Sequence, residues 1–577
     1  MSVKSAPGET QQTHNASEQL SRLADDYWEF YLREHPVVAL GHGDERFRHE
    51  LFKESISDFE RRDGESAMLL QSLAGIEADL LGGQDQFTFQ LLERELLNDR
   101  KHFAMHTHLR PMLFPLGPEG WVADAVHKTT LFTRQQARDY SRRVESIPAF
   151  FADHSERLWS GLDAGFRLPR VLLDRVCAAA QSYLEGLVEQ SLWYRPFAQA
   201  RSAGRIFEAE ESAVRSLIQT KVRPAYKGWT DMLKKRYASE CRETIATTGE
   251  PGGEDYYRFL ARYYTSSDLS AEEIHARGVD EVARISADMK SIAGKTGHED
   301  LEGLRNFLRT DAQFYSGSKE EILERIAILT KRIDRRIPEF FGNLPRMTYG
   351  IESVPESLAA QVPPAYAQPN PPNGTSAGIF WVTSLPRRCP GYLHVPLTLH
   401  EAWPGHLMHI AMLQEMTALP AFRRYGLANY TAFIEGWGLY CEQLGHDFGF
   451  YSDPFAHYGC LEMEMWRAVR LVVDTGIHMQ GWSREQAIAY MRLHLTLDPV
   501  TIEAEVDRYI GMPGQALAYK VGGFKFSELR ERAHRQLGDA FSLRRLHDRF
   551  MDAGPVTLDL LDQHVQAWID ATRSEKA

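Results

Sequence analysis

The sequence predicts a mainly α-helical protein in two lobes with one small β element, and three observations carry that prediction. Apolar residues recur at three- and four-residue spacing through most of the 577 residues. A Pro-Gly-Gly break at residues 251–253 divides the chain. A proline-rich stretch from Arg346 to Pro396 then interrupts the helical pattern and holds a single strand-like run. A chain of this length also exceeds what one hydrophobic core normally serves.

The first 16 residues are polar, lack the apolar core of a secretory signal, and are expected to form a disordered tail. The N-terminal lobe is expected over residues 17–253. Its first helix, Ser17 to Glu34, places Leu20, Leu23, Tyr27, Tyr31 and Leu32 near one face, with Ser17 as its cap and Pro36 beyond its end. Helical stretches follow at Phe59–Leu81, stopped by Gly82-Gly83, and at Phe87–His102, Arg134–Ala164, Arg170–Trp193 and Ala209–Arg236. The C-terminal lobe is expected over residues 254–577. It opens with a helix at Ala271–Ile292, where Ser270 caps and Glu272 and Glu273 occupy the first turn. Lys319–Arg335 is a further helix. Pro363, Pro364, Pro369, Pro371 and Pro372 then exclude helix, and Gly378–Thr383 reads as a strand. Helical pattern returns from about Leu397 and runs to the C-terminus.

Composition narrows the function classes. Apolar residues make up 43% and charged residues 25%, which is ordinary for a globular chain. Net charge is -13 and pI about 6.0, with no basic stripe, so nucleic acid is not expected as a partner. Acidity gives no attraction to anionic lipid, and no apolar run approaches the roughly 18 residues of a spanning helix. The five cysteines are scattered without a C-x-x-C pair, which argues against a disulfide framework and against a cysteine metal site. Reduced thiols lead to the expectation of a cytoplasmic protein.

The chemistry concentrates at His400-Glu401-Ala-Trp-Pro-Gly-His406. In the zinc-hydrolase helix H-E-x-x-H, two histidines four apart share a face and an ion, and the Glu serves as base for water. Here the histidines are six apart, which on a straight helix turns them about 120° from one another. Pro404 lacks an N–H and its ring clashes with the His400 carbonyl, so a regular helix cannot pass. Gly405 tolerates the backbone that the break demands. With Pro404-Gly405 extruded, the remainder reads His-Glu-Ala-Trp-His, a distorted H-E-x-x-H site. The alternative is that His400 ends a loop and His406 begins an unrelated helix.

A third ligand is needed, with one position left open. Glu435 and Glu442 stand seven residues apart in an apolar helical segment, near one face, where a carboxylate wants a metal or cation. Glu435 is the expected ligand and Glu442 the residue that orients one. Zinc is the expected ion, although manganese, iron and cobalt suit the same donors. Tyr519 and Tyr509 are candidate oxyanion donors, set around Pro513-Gly514, with Gln515 four residues before Tyr519. Arg467, Arg470 and His478 form a second polar group, fit either to hold a substrate carboxylate or to pair with Asp474 or Glu464. The strand at Gly378–Thr383 is expected to be a cleft edge for substrate backbone. His102, His106 and His108 also suggest a metal, but their surroundings are basic and offer only Glu95 as an acidic partner.

These residues have a family resemblance. The motif H-E-x-x-P-G-H, the later E-G-W-x-x-Y beginning at Glu435, and Arg508–Lys520 resemble the bacterial family called domain of unknown function 885. So do Leu471–His478 with Gly481–Ala487, and more distantly Leu23–Arg46 and Gly165–Arg170. The resemblance implies a two-lobed helical metallopeptidase-like fold with a central cleft. It implies metal-ligand roles for His400, His406 and Glu435 and a base role for Glu401. Family members commonly carry Gln where this chain has His409, which leaves a fourth ligand, a substrate contact or a core histidine open for that residue. Trp403 is bulkier than the family pattern and is expected to narrow the pocket.

The function expected is a metal-dependent hydrolase of peptides or small amide conjugates. Two alternatives stand beside it: a metal-dependent tailoring enzyme acting on a non-peptide bond, and a non-catalytic helical binding protein with a structural metal.

Overall fold

A computed structural model describes residues 7–575 apart from 128, 357, 358, 360 and 361. Helix dominates, and the described strands form one three-stranded sheet. Two compact units divide the chain: Met1–Tyr256 with Ile510–Met512, and Tyr257–Tyr509 with Pro513–Ala577.

In the first unit the N-terminal helix runs Pro7–Glu34. The expected tail is therefore shorter than residue 16, and Ser17 lies inside the helix rather than at its cap. The physical reason is burial: Ala16 and Leu20 already face the core. The stretch Arg134–Ala164 is two helices, Arg134–Glu145 and Ile147–Asp163, because Pro148 sits in the first turn of the second. Buried rings of Phe151, Trp193 and Tyr226 pack at 4.8–5.0 Å. Residues 510–512 belong with this unit rather than with the C-terminal lobe. Gly511 lies so close to the Phe114 carbonyl that a Cβ would meet its oxygen at 2.4 Å.

The second unit carries the motif. Helix α1 (Ala271–Lys295) starts as expected. Ser270 Oγ accepts from the Glu273 N–H at 3.1 Å, and the Glu273 carboxylate accepts from the Ser270 N–H at 2.8 Å. Strands β1 (Tyr349–Ser353), β2 (Ala365–Gln368) and β3 (Gly378–Val382) pair in the order β1-β3-β2. β1 runs parallel to β3, and β2 antiparallel. Alternation in β3 buries Gly378, Phe380 and Val382 on one face. Six helices follow: α2 (His394–Glu401), α3 (His406–Glu415), α4 (Thr431–Asp447), α5 (Pro454–Gln480), α6 (Pro499–Gly511) and α7 (Leu517–Leu537).

Two glycines let α4 and α7 touch. A Cβ on Gly436 would lie 2.5 Å from the Gly522 backbone, and one on Gly522 would lie 1.9 Å from the Ala432 carbonyl oxygen. At such a crossing no side chain fits, and the backbones themselves are the contact surface. Beside it Trp437, Tyr440, Phe526 and Phe550 form a ring cluster, and the Tyr440 hydroxyl meets His547 Nε2 at 2.8 Å. That cluster fixes α4, and α4 carries the acidic half of the site.

Candidate metal centre

α2 ends at Glu401 and α3 begins at His406. Between them Ala402 leaves helical geometry, with φ -88° and ψ -127°. Gly405 is required by space as well as by backbone freedom, since a Cβ there would sit 1.9 Å from the His400 carbonyl oxygen. The Trp437 indole N–H donates to the Pro404 carbonyl at 3.0 Å, so the buried α4 tryptophan pins the extruded pair. The break turns the imidazoles toward one another: their ring centroids stand 4.7 Å apart at 85°. A straight helix would have separated them.

α4 supplies the third group. Glu435 Oε2 lies 3.5 Å from His400 Nε2 and 3.6 Å from His406 Nε2. One ligand atom from each of the three residues falls within 4.8 Å of the others, and among the described residues this is the one His/Cys/Asp/Glu group so arranged. Two residues beyond Gly436, Gly438 makes room for the first imidazole: a Cβ there would lie 2.6–2.8 Å from three atoms of the His400 ring. The E-G-W-G run thus provides a carboxylate, a helix crossing, an anchor for Pro404 and a recess for His400, in that order.

Glu442, two turns beyond Glu435, is buried. Its Oε1 accepts from His400 Nδ1 at 2.8 Å and forms an ion pair with Arg467 Nη2 at 3.2 Å. A carboxylate only accepts, so Nδ1 carries the proton and Nε2 is turned toward Glu435. Burial alone would lower the His400 pKa. Glu435, Glu442 and Glu401 outweigh it and hold it up at about 9. Burial likewise pushes Glu435 up, but the two imidazoles win and take it well below the carboxylate range. The group is organised to stabilise positive charge between these side chains.

Glu401 Oε2 accepts the Ala367 N–H of β2 at 2.9 Å. The sequence places the expected cleft-edge strand at Gly378–Thr383. That strand, β3, is paired on both sides and is not an edge. The edge strand that meets Glu401 is β2. Nothing in Ala365–Gln368 marks it, because four residues after a proline pair carry no periodicity of their own.

The other predicted residues divide. Trp403 packs against Tyr349 of β1 at 5.7 Å. His409 is buried one turn into α3 against Phe433, outside the three-residue group; burial pushes its pKa down to about 3, and neither ring nitrogen has a hydrogen-bond partner among the described residues. Tyr509 is fully buried. Its hydroxyl donates to Glu505 at 2.7 Å and accepts from Arg470 Nε at 3.2 Å, which removes it from the donors open to a substrate. His478 is also fully buried and its Nε2 meets the Tyr509 carbonyl at 2.9 Å, a backbone tie rather than a substrate contact. Arg467 pairs with Glu442 and Arg470 with Glu505, in place of Asp474 or Glu464. Gln515 accepts from Arg508 at 2.5 Å. Tyr519 lies one turn before Gly522, whose backbone meets that of Gly436, and burial with the Glu435 charge raises its pKa. Sequence reasoning missed Glu505 and Arg508 as partners; two arginines with one glutamate in a single amphipathic segment was the available signal. Among the described residues His102, His106 and His108 form no metal-ligand group: His102 Nδ1 meets Thr107 Oγ1 at 3.1 Å, and His108 stacks between Phe59 and Phe103. All five cysteines are free.

Residues 36–565 match the family described as Bacterial protein of unknown function (DUF885). The chain belongs to that family. No curated protein matches this DUF885 chain. Two solved structures share its fold over nearly their whole length. A candidate lipoprotein from Colwellia psychrerythraea is 27% identical, with TM-score 0.90, covering 96% of this chain and 99% of its own. A candidate lipoprotein of unknown function from Shewanella oneidensis is 15% identical, with TM-score 0.74, covering 94% and 99%. Among the described residues of this DUF885 protein, no helix is long and apolar enough to cross a membrane.

Proposed function

We propose that this DUF885 protein is a metal-dependent hydrolase that cleaves amide bonds of peptides or small amide conjugates, with zinc held by His400, His406 and Glu435. The observation that carries the reading is the spacing of the three ligand atoms. Donors about 2.1 Å from an ion at tetrahedral angles stand about 3.4 Å from one another. The two Glu435-to-imidazole separations are 3.5 and 3.6 Å. The donor chemistry suits zinc too: two imidazoles and a carboxylate, with His400 oriented by Glu442 through its other nitrogen.

A divalent ion of this class supplies Lewis acidity, polarising a carbonyl and making water a stronger acid. The chain's own groups do the rest. Glu401, held at one oxygen by the Ala367 N–H, takes the proton from the attacking water and returns it to the leaving amine. Arg467 and Glu442 keep His400 in one tautomer and one orientation. Burial and the Glu435 charge raise the Tyr519 pKa, so its hydroxyl keeps its proton and serves as a donor to a developing oxyanion. A purely structural site would not need Glu401.

Elemental analysis of protein prepared without added zinc is expected to find about one ion per chain. Glu401→Gln is expected to keep that ion and to lose at least about 100-fold in turnover on a peptide library. Protein that takes up no divalent ion, or a Glu401→Gln variant with full activity, refutes the reading. The library products decide which amide bonds are cut.

A further inference from the structure

Outside the ligand group, a collection of buried charge lies where α5, α6 and α7 meet. Arg470 of α5 is only 4% exposed. Its Nε donates to the Tyr509 hydroxyl and its Nη2 to Glu505 at 3.0 Å, while its Nη1 has no hydrogen-bond partner among the described residues. Arg508 of α6 donates to the same Glu505 at 3.2 Å and to Gln515. Burial would raise Glu505, but Arg508 and Arg470 hold it down at about 2. Two guanidiniums therefore share one carboxylate. The neighbouring cations are balanced otherwise: Arg467 by Glu442, and Lys520 by Glu464 and Glu281.

An uncompensated buried guanidinium is costly, and its planar fork fits a carboxylate better than any other common group. Tyr519 covers this charge, its ring centroid 4.4 Å from the Arg470 guanidinium and 6.0 Å from that of Arg508. Arg508 keeps 20% of its side chain exposed, which leaves the cluster open on that side. Two links place it beside the ligand group. Tyr519 is one turn before Gly522, whose backbone touches Gly436, the residue after Glu435. Arg470 is one turn after Arg467, which pairs with the Glu442 that holds His400.

We propose that Arg470 and Arg508, covered by Tyr519, form a subsite for a carboxylate of the substrate. The substrate class is then amides that bear a free carboxylate, as at the C-terminus of a short peptide. The word substrate rests on the hydrolase reading; the carboxylate site does not.

The test separates the two. A mixture of N-acetyl dipeptides is made once as free acids and once as carboxamides, and its retention by metal-stripped full-length protein is measured by ultrafiltration and mass spectrometry. Without metal, a carboxylate cannot be retained through the ion. Acids are expected to be retained about tenfold or more over carboxamides, and Arg508→Gln to bring the ratio within about twofold of one. Arg508→Lys, which keeps the charge and loses the fork, is expected to fall between them. Equal retention of acids and carboxamides by the wild-type protein overturns the subsite, even where a variant fails to fold. An acid preference that survives in folded Arg508→Gln overturns it as well. Acid preference in a protein with no zinc-dependent turnover supports the subsite and sinks the hydrolase reading.

Discussion

Gly438→Ala gives the sharpest test of the centre, because it changes one atom at a known distance from a proposed ligand. The new Cβ would meet His400 Cε1 at 2.6 Å and both ring nitrogens at 2.8 Å. Ordinary contact begins near 3.4 Å, so the imidazole must retreat by about 0.8 Å. Metal–ligand distances tolerate about 0.2 Å. The retreat also breaks the 2.8 Å bond from His400 Nδ1 to Glu442. Loss of an orienting partner alone costs 10- to 100-fold in metal affinity, and displacing the ligand adds to it. Zinc affinity measured by chelator competition is expected to fall at least about 100-fold, or about 2.7 kcal/mol. The metal-free protein should suffer little. The ring can rotate, and alanine gains roughly 1 kcal/mol over glycine inside a helix. Gly436→Ala, two residues earlier, is the control. Its Cβ would meet the Gly522 backbone at 2.5 Å, and backbone cannot rotate aside. That variant is expected to lose roughly 1–3 kcal/mol of metal-free stability in urea unfolding. Zinc affinity of Gly438→Ala within threefold of wild type, or the same phenotype for both variants, would refute the geometry.

Glu442→Gln should lower zinc affinity about 10- to 100-fold by chelator competition, since His400 loses its charged acceptor and Arg467 its counter-ion. Trp437→Phe keeps the ring cluster but deletes the donor to Pro404, and is expected to cost about 1 kcal/mol in urea unfolding and to weaken zinc binding with it. Burial lifts Asp474 to about 7, against hydrogen bonds from Tyr257 and the Gly514 N–H that favour its charged form. The folded chain then binds this proton more tightly than the unfolded one. The stability is complete below about pH 4 and drains away as pH rises through 7, with a slope of up to about 1.4 kcal/mol per pH unit. Asp474→Asn is expected to flatten that part of the urea-unfolding profile, and an unchanged slope would show that Asp474 is not the group responsible.

What was legible in the sequence follows the range of the interaction that encodes it. The capping box at Ser270 and Glu273 spans three residues, and could be read because its donors and acceptors are local. Helix existence was legible from periodicity, while the break at Ser146 was hidden because a proline in a helix's first turn leaves the apolar pattern intact. β2 was invisible because its partner and its contact to Glu401 lie far along the chain. The same holds for Tyr509 and His478: a buried tyrosine and a buried histidine look like functional residues until the bond between His478 and the Tyr509 backbone is seen.

The motif itself belongs to neither class. Its six-residue histidine spacing argues against a shared ion if helices are assumed, and in favour of one if Pro404-Gly405 is taken as a forced exit. The second reading accords with a glycine at 405, where any Cβ would collide with the His400 carbonyl, and with a tryptophan on another helix that donates its indole N–H to Pro404. The spacing that looks like a defect is therefore the length required for the chain to leave α2, cross the His400 carbonyl and return with its second imidazole facing the first. Gly405→Ala, whose Cβ would lie 1.9 Å from the His400 carbonyl oxygen, is expected to shift the His400 backbone and to weaken zinc binding measured by chelator competition; wild-type affinity in the folded variant would refute the forced exit.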